Sequence, residues 1–239
     1  MFPVKGKQMS RIQDGLERSY EEFEILGDCH HSTSLETPIR ADAWELSSET
    51  KIHRIEEHFR EIMHTLGLDL NDDSLQGTPR RVAKMFVSEI FIGLNPEKKP
   101  EIRLFQNTYR YQNVLLEKNI SFRSFCEHHF LPIVGEAHVA YIPKDGVIGL
   151  SKINRIVDYY SRRPQVQERL TRQIAEELER ALGTPDIAVL LDAKHFCVMM
   201  RGIEDQTSST ITTEYRGCFQ KVERRDEFLR YIHSKSKPA

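Results

Sequence analysis

The sequence predicts an α+β chain, a mainly antiparallel sheet backed by helices. Two segments with helical period come first, two alternating β-like runs follow, and the same pattern then repeats. Helix, helix, strand, strand, twice over, segregates helices from an antiparallel sheet rather than interleaving them as a parallel one would.

Residues 1–47 are polar and poorly periodic and read as an extension, partly disordered. Within them Asp14–Ile25 allows a short acidic helix, and Gly27–Thr37 reads as loop. From Ser48 a helix is expected, with Ile52, Ile55, Phe59, Ile62, Met63 and Leu66 on one face and Gly67 as its stop. Thr78-Pro79 predicts a second helix capped by Thr78, with an apolar stripe of Val82, Met85, Phe86, Ile90 and Phe91, closed by Gly93 and Pro96. A strand is expected at about Asn119–Phe125 and another at Gly135–Ile142, paired antiparallel, with Pro143–Gly146 as a turn. Ser151 is expected to cap a helix carrying Ile153, Ile156, Val157 and Tyr160. Pro164 is expected to open the next, which runs through Val166, Leu170, Ile174, Leu178 and Leu182 to Gly183. Strands at Ile187–Asp192, Lys194–Arg201 and Thr207–Glu214 and a terminal helix at Arg224–Ile232 complete the reading.

A formal net charge of −2 does not favour a general polyanion binder, so any anion site must be local. No nucleic acid or membrane partner is expected: no apolar run approaches the ~18 residues of a membrane span, and the N-terminus lacks a signal peptide's hydrophobic core. Cys29, Cys126, Cys197 and Cys218 are too few and too irregularly spaced for a disulfide framework, and fit a reducing compartment, the cytoplasm.

The chemistry concentrates in Cys126-Glu-His-His-Phe130 and in the distant His195-Phe-Cys197, two thiols and three imidazoles in all. Zinc prefers cysteine sulfur and histidine nitrogen in tetrahedral geometry. Strand alternation would turn His195 and Cys197 to one side. Five donors exceed a closed four-ligand site. The economical reading is Cys126, His129 and Cys197 as ligands with one position open, and His128 and His195 as proton carriers. A closed structural zinc, or a chance grouping of a buried small thiol and ordinary strand histidines, stands beside this reading. Cys29-His30-His31 imitates the cluster without strand context and is read as a decoy.

Ser151, Lys152 and Arg155 begin a helix, where backbone N–H groups and cations favour an anion, and Arg201 lies four residues beyond Cys197. Gln167 and Glu168 open the next helix. A carboxylate there could match the paired N–H donors of a guanine edge, although Glu168 is also an ordinary helix-surface glutamate. Arg81 and Lys84 share a polar helix face and read first as solvated cations.

Several blocks together resemble GTP cyclohydrolase I of the zinc-dependent type. They are Asp72-Asp-Ser-Leu75, Thr78-Pro-Arg-Arg-Val-Ala-Lys-Met85, Cys126-Glu-His-His-Phe130, Val139-Ala-Tyr-Ile-Pro-Lys-Asp145, Val147-Ile-Gly-Leu-Ser-Lys-Ile-Asn-Arg155, Arg163-Pro-Gln-Val-Gln-Glu-Arg-Leu170, His195-Phe-Cys197 and Met200-Arg-Gly-Ile203. The resemblance runs from about Ile52 to the C-terminus. It implies the tunnelling fold (T-fold), with a catalytic domain at 48–239 made of N-terminal helices at about 48–97 and a core at about 110–220. It also implies a homodecamer with sites between subunits. By position it implies Zn2+ on Cys126, His129 and Cys197, and acid–base roles for His128 and His195. Guanine recognition falls on Gln167 and Glu168, and ribose–triphosphate contacts on Ser151, Lys152, Arg155 and Arg201. Arg81 and Lys84 would reach phosphates from a neighbouring subunit. The implied reaction converts GTP and water to formate and 7,8-dihydroneopterin triphosphate.

Overall fold

The computed structural model describes residues 33–234. The helix expected at Asp14–Ile25 and the triplet Cys29-His30-His31 lie outside them. Residues 35–234 belong to one compact unit that mixes helices and sheet.

Helix α1 (Ser48–Thr65) starts where Ser47 Oγ accepts the Thr50 N–H, and Gly67 follows its end at φ 84°. Helix α2 (Thr78–Met85) differs from expectation: Gly77, not Thr78, is the N-cap. Thr78 is already helical, and its hydroxyl accepts from Arg81 Nη2 at 2.8 Å. Pro79 therefore sits second in the helix, still inside the first turn where its missing N–H costs nothing. The chain continues through a π-helical turn, Phe86–Ile90, to Gly93. A Cβ on Gly93 would lie 2.1 Å from the Tyr159 carbonyl oxygen, so only glycine lets this arm approach so closely. There the Gly93 N–H donates to Arg162 O at 3.0 Å, and its carbonyl accepts from Arg163 Nε at 2.8 Å.

A short pair, β1 (Leu104–Gln106) and β4 (Gly146–Ile148), stands apart from the main sheet. The main sheet contains β2 (Leu115–Cys126), β3 (Pro132–Tyr141), β5 (Pro164–Gln165), β6 (Ile187–His195) and β7 (Thr210–Tyr215) in the order β5-β2-β3-β6-β7. Every neighbouring pair is antiparallel except β2 with β5. Helices α3 (Leu150–Ser161) and α4 (Gln167–Leu182) contribute Ile153, Ile156, Leu170, Ile174 and Leu178 to one core, facing Ala137, Val139, Val189 and Leu191 of the sheet. Helix α6 (Val222–His233) places Phe228 in a second cluster with Ala140, Ala188 and Leu190. Neighbours on β6 thus alternate between two cores, which is why it reads as an unbroken apolar run.

Four further expectations change. Strand β2 begins at Leu115, four residues early, because its register shifts between Glu117 and Ile120, with Asn119 at φ 60°, and the bulge hides the alternation. Ser151 is not a cap: Gly149 holds that position and makes no side-chain cap bond. Pro164 does not open a helix. It pairs with Phe125 as β5, and α4 starts only at Gln167. The two strands expected at Ile187–Asp192 and Lys194–Arg201 are one strand that stops at His195, after which Phe196–Met199 forms a short helix, α5. The ladder ends there because His195 pairs with Ile133, and the next β3 residue, Pro132, has no N–H to offer. Among the described residues no helix is long and apolar enough to cross a membrane.

Candidate active site

Cys126 is the buried last residue of β2, and Glu127–His129 form the turn into β3. The turn closes through Cys126 N–H to Leu131 O at 2.8 Å and Phe130 N–H to Cys126 O at 2.9 Å, with Phe130 at φ 55°. Phe91, at the end of the N-terminal helical arm, meets Phe125 and Phe130 edge-on, at ring separations of 5.4 and 5.3 Å. Strand β6 brings α5 to the same place from far along the chain. The ligand atoms of Cys126, His129 and Cys197 all lie within 4.8 Å of one another. Two sulfurs and an imidazole at that spacing suit a metal ion that prefers sulfur and nitrogen. Burial, then the neighbouring Cys126 sulfur, pushes the Cys197 thiol above its ordinary pKa.

Strand alternation was the wrong reason for placing Cys197 here. Because the strand ends at His195, the helical turn sends Cys197 towards Cys126, while His195 faces α4. There Gln167 Nε2 donates to Leu191 O at 3.2 Å and Thr210 O at 2.8 Å, which fixes its amide orientation. Its Oε1 then lies 2.7 Å from His195 Nε2 and must accept from it. The neutral ring therefore keeps its lone pair on Nδ1. Burial holds the His195 pKa below the usual histidine range, opposed by the Glu168 carboxylate. Gln167 is thus committed to His195 and two carbonyls, and Glu168 is the exposed carboxylate of the pair.

His128 Nδ1 lies 3.7 Å from Cys126 Sγ, inside the group. Arg201 also joins it: Nη1 donates to His129 Nε2 at 2.6 Å. Among the described residues, no hydrogen bond or ion pair draws the other predicted residues into the group. Ser151 and Arg155 are exposed on α3 and Lys152 is half-buried there. Arg81 bonds locally to Ser74 O at 3.1 Å and to Thr78, and Lys84 is exposed.

Sequence reading missed Glu127, Gln165 and Arg169. Arg169 donates to Glu127 through both Nη1 (2.6 Å) and Nη2 (3.1 Å). The Glu127 N–H also donates to Gln165 O at 3.0 Å. A signal existed: Arg169, Gln173 and Glu177 recur four apart beside Leu170, Ile174 and Leu178, so the inward face of α4 is wider than its apolar stripe.

The family model described as GTP cyclohydrolase I matches residues 55–233. The chain belongs to the GTP cyclohydrolase I family. A GTP cyclohydrolase 1 from Flavobacterium johnsoniae is 56% identical to it over 207 residues, 87% of this chain and 93% of that protein. One from Yersinia pseudotuberculosis is 52% identical and one from Salmonella arizonae 50% identical, each over 213 residues, 89% of this chain and 96% of the relative. Cys126, His129, Cys197, His128 and His195 all lie within the segment that the GTP cyclohydrolase I model covers.

Proposed function

We propose that this chain is a GTP cyclohydrolase I. It hydrolyses a C–N bond of the cyclic amidine in GTP, releases formate and rearranges the remainder to 7,8-dihydroneopterin triphosphate, the first step towards tetrahydrofolate or tetrahydrobiopterin. The observation that carries the reading is the convergence of Cys126, His129 and Cys197 within 4.8 Å, with His128 against Cys126 and His195 two residues before Cys197, held by Gln167. These three residues would hold Zn2+, whose Lewis acidity makes water nucleophilic near neutral pH.

The chain's own groups do the rest. His195, oriented by Gln167, uses Nδ1 to take up a proton and return it to the purine ring nitrogen as the imidazole ring opens. His128 serves the same traffic from the turn. The Glu168 carboxylate accepts the guanine N–H donors, and Gln167 sets His195 against the same base. Ser151 lies by the ribose, and Lys152, Arg155 and Arg201 hold the triphosphate. Arg81 and Lys84 contribute from a neighbouring subunit. Because the triphosphate is retained, these cations clamp and orient rather than transfer phosphate.

The assembly in this reading is a homodecamer of tunnelling-fold subunits in the cytoplasm, residues 48–239 forming the catalytic domain behind a 47-residue extension. Among the described residues the outermost strands β5 and β7 each pair on one side, which supports closure of the sheet with a second copy. The test is purified protein with GTP, with and without a chelator. Formate and pterin fluorescence that disappear on chelation and return with zinc are expected. Zinc-loaded protein that leaves GTP intact refutes the assignment.

A further inference from the structure

We infer that Glu127 and Arg169 are positioning residues: their partly buried ion pair sets the orientation of the Cys126–His129 turn. This rests on the reading of Cys126, His129 and Cys197 as the metal group. Glu127 stands between a ligand and a histidine of the site, and it is fastened twice. Its backbone joins β5 through Gln165, and its carboxylate receives both prongs of the Arg169 guanidinium. The Arg169 side chain is 2% exposed and the Glu127 side chain 19%. The anchorage runs deeper. Arg169 Nη1 also reaches Gln165 Oε1 at 3.4 Å, and Gln165 Nε2 donates to Tyr160 O and Gln173 Oε1, both at 2.9 Å. Gln173 Nε2 then donates to Glu36 Oε2 at 2.8 Å.

Stability alone does not account for such a pair, since apolar residues of similar volume commonly hold a fold as well or better. A two-pronged guanidinium–carboxylate contact adds direction: it fixes both the distance and the rotation of the carboxylate's plane. Here that rotation is transmitted to a four-residue turn carrying Cys126, His128 and His129. Helix α4, which supplies Arg169, also supplies Gln167, the partner of His195. One helix thereby registers both histidines against the metal ligands.

The experiment compares wild type with Glu127→Asp, Arg169→Lys and the double variant Glu127→Leu/Arg169→Met. Zinc affinity is read by competition with a chromophoric chelator, melting temperature in excess zinc, and kcat and KM with GTP. Each single variant keeps charge but breaks the two-pronged contact, Glu127→Asp by drawing the carboxylate back one methylene and Arg169→Lys by removing the fork, and is expected to bind zinc about 10- to 100-fold more weakly, as when an orienting partner of a ligand is removed. kcat should fall with it while KM for GTP moves less. The double variant is expected to recover melting temperature without recovering zinc affinity or kcat. Single variants with wild-type zinc affinity and kcat overturn the inference. So does a double variant in which zinc affinity and kcat return together with melting temperature. If the double variant does not fold, the single variants decide. Wild type that retains no zinc overturns the metal reading itself, and the positioning role with it.

Discussion

The two halves of the candidate metal group are built differently. Cys126 and His129 sit on a β-hairpin whose turn is tied to β5, to α4 and to the aromatic ring of Phe91. Cys197 sits on a four-residue helix with no buried residue, followed by exposed Met200, Arg201, Gly202 and Ile203. That second segment combines local bonds with one to the hairpin: the Asp205 carboxylate accepts from Thr207 N–H, Thr207 Oγ1 and Ser208 N–H, bonds that pull its pKa down to about 2, and Arg201 Nη1 donates to His129 Nε2. The hairpin half is fixed by contacts to three other elements; the helical half is placed by where β6 ends, by Cys197 packing on the core and by the Arg201–His129 bond. A donor set made this way would be half preorganised, and a bound ion would supply the closing link.

Replacing the cysteines one at a time tests that difference most severely. Cys126→Ala and Cys197→Ala should each abolish turnover and weaken zinc binding by more than about 100-fold, beyond the effect of losing an orienting partner. Their metal-free stabilities should part. Cys126 is buried in the main core, so its truncation should cost on the order of 1 kcal/mol. Cys197 is partly exposed, and its truncation should stay within about 0.5 kcal/mol. Denaturant titrations in chelator measure both, and equal losses would show that the halves are equally anchored. Full activity in Cys197→Ala would remove it from the ligand set.

A smaller effect is expected at Glu168, exposed on the helix that anchors the hairpin half. Glu168→Ala should weaken GTP binding by about 10- to 150-fold, the worth of about 1.5–3 kcal/mol for hydrogen bonds to a charged group. Zinc content should not change, because Glu168 lies outside the group of Cys126, His129 and Cys197. Equilibrium binding of GTP together with metal analysis separates the two quantities. Normal GTP affinity would take Glu168 out of base recognition.

Much of this was legible in the sequence because it rests on period and residue type. The stripe of α4, the Gly183 stop at φ 63° and the pairing of β2 with β3 follow directly from spacing. The grouping of Cys126, His129 and Cys197 was legible from donor chemistry, although the supporting picture of alternating strand side chains failed. What was hidden depends on partners distant in sequence. A bulge at Asn119, a strand that ends because its neighbour begins with proline, and a buried arginine facing a turn glutamate leave little local signal. Arg169 acquires a partner only once β5 and the turn are placed against it.

The subtlest difference concerns pH and the far end of the same hairpin. His138 of β3 is 6% exposed, and its Nδ1 accepts the Asn119 N–H at 3.3 Å across the β2 bulge. Only an imidazole with a lone pair on that nitrogen can accept. Burial lowers its pKa; Glu136 and Asp192 oppose the shift, and Lys118 and His233 add to it. A histidine with a depressed folded pKa takes its proton more readily when unfolded. Its contribution is therefore complete above the unfolded value of about 6.5 and declines as pH falls below it. Melting temperature should drop from neutral pH towards pH 5 more steeply in wild type than in His138→Gln, whose amide oxygen accepts from Asn119 without titrating. Hydrogen exchange should show the Asn119 and Ile120 amides losing protection in acid before those paired between β6 and β7. Identical slopes in the two proteins would mean that the acid sensitivity of the hairpin lies elsewhere.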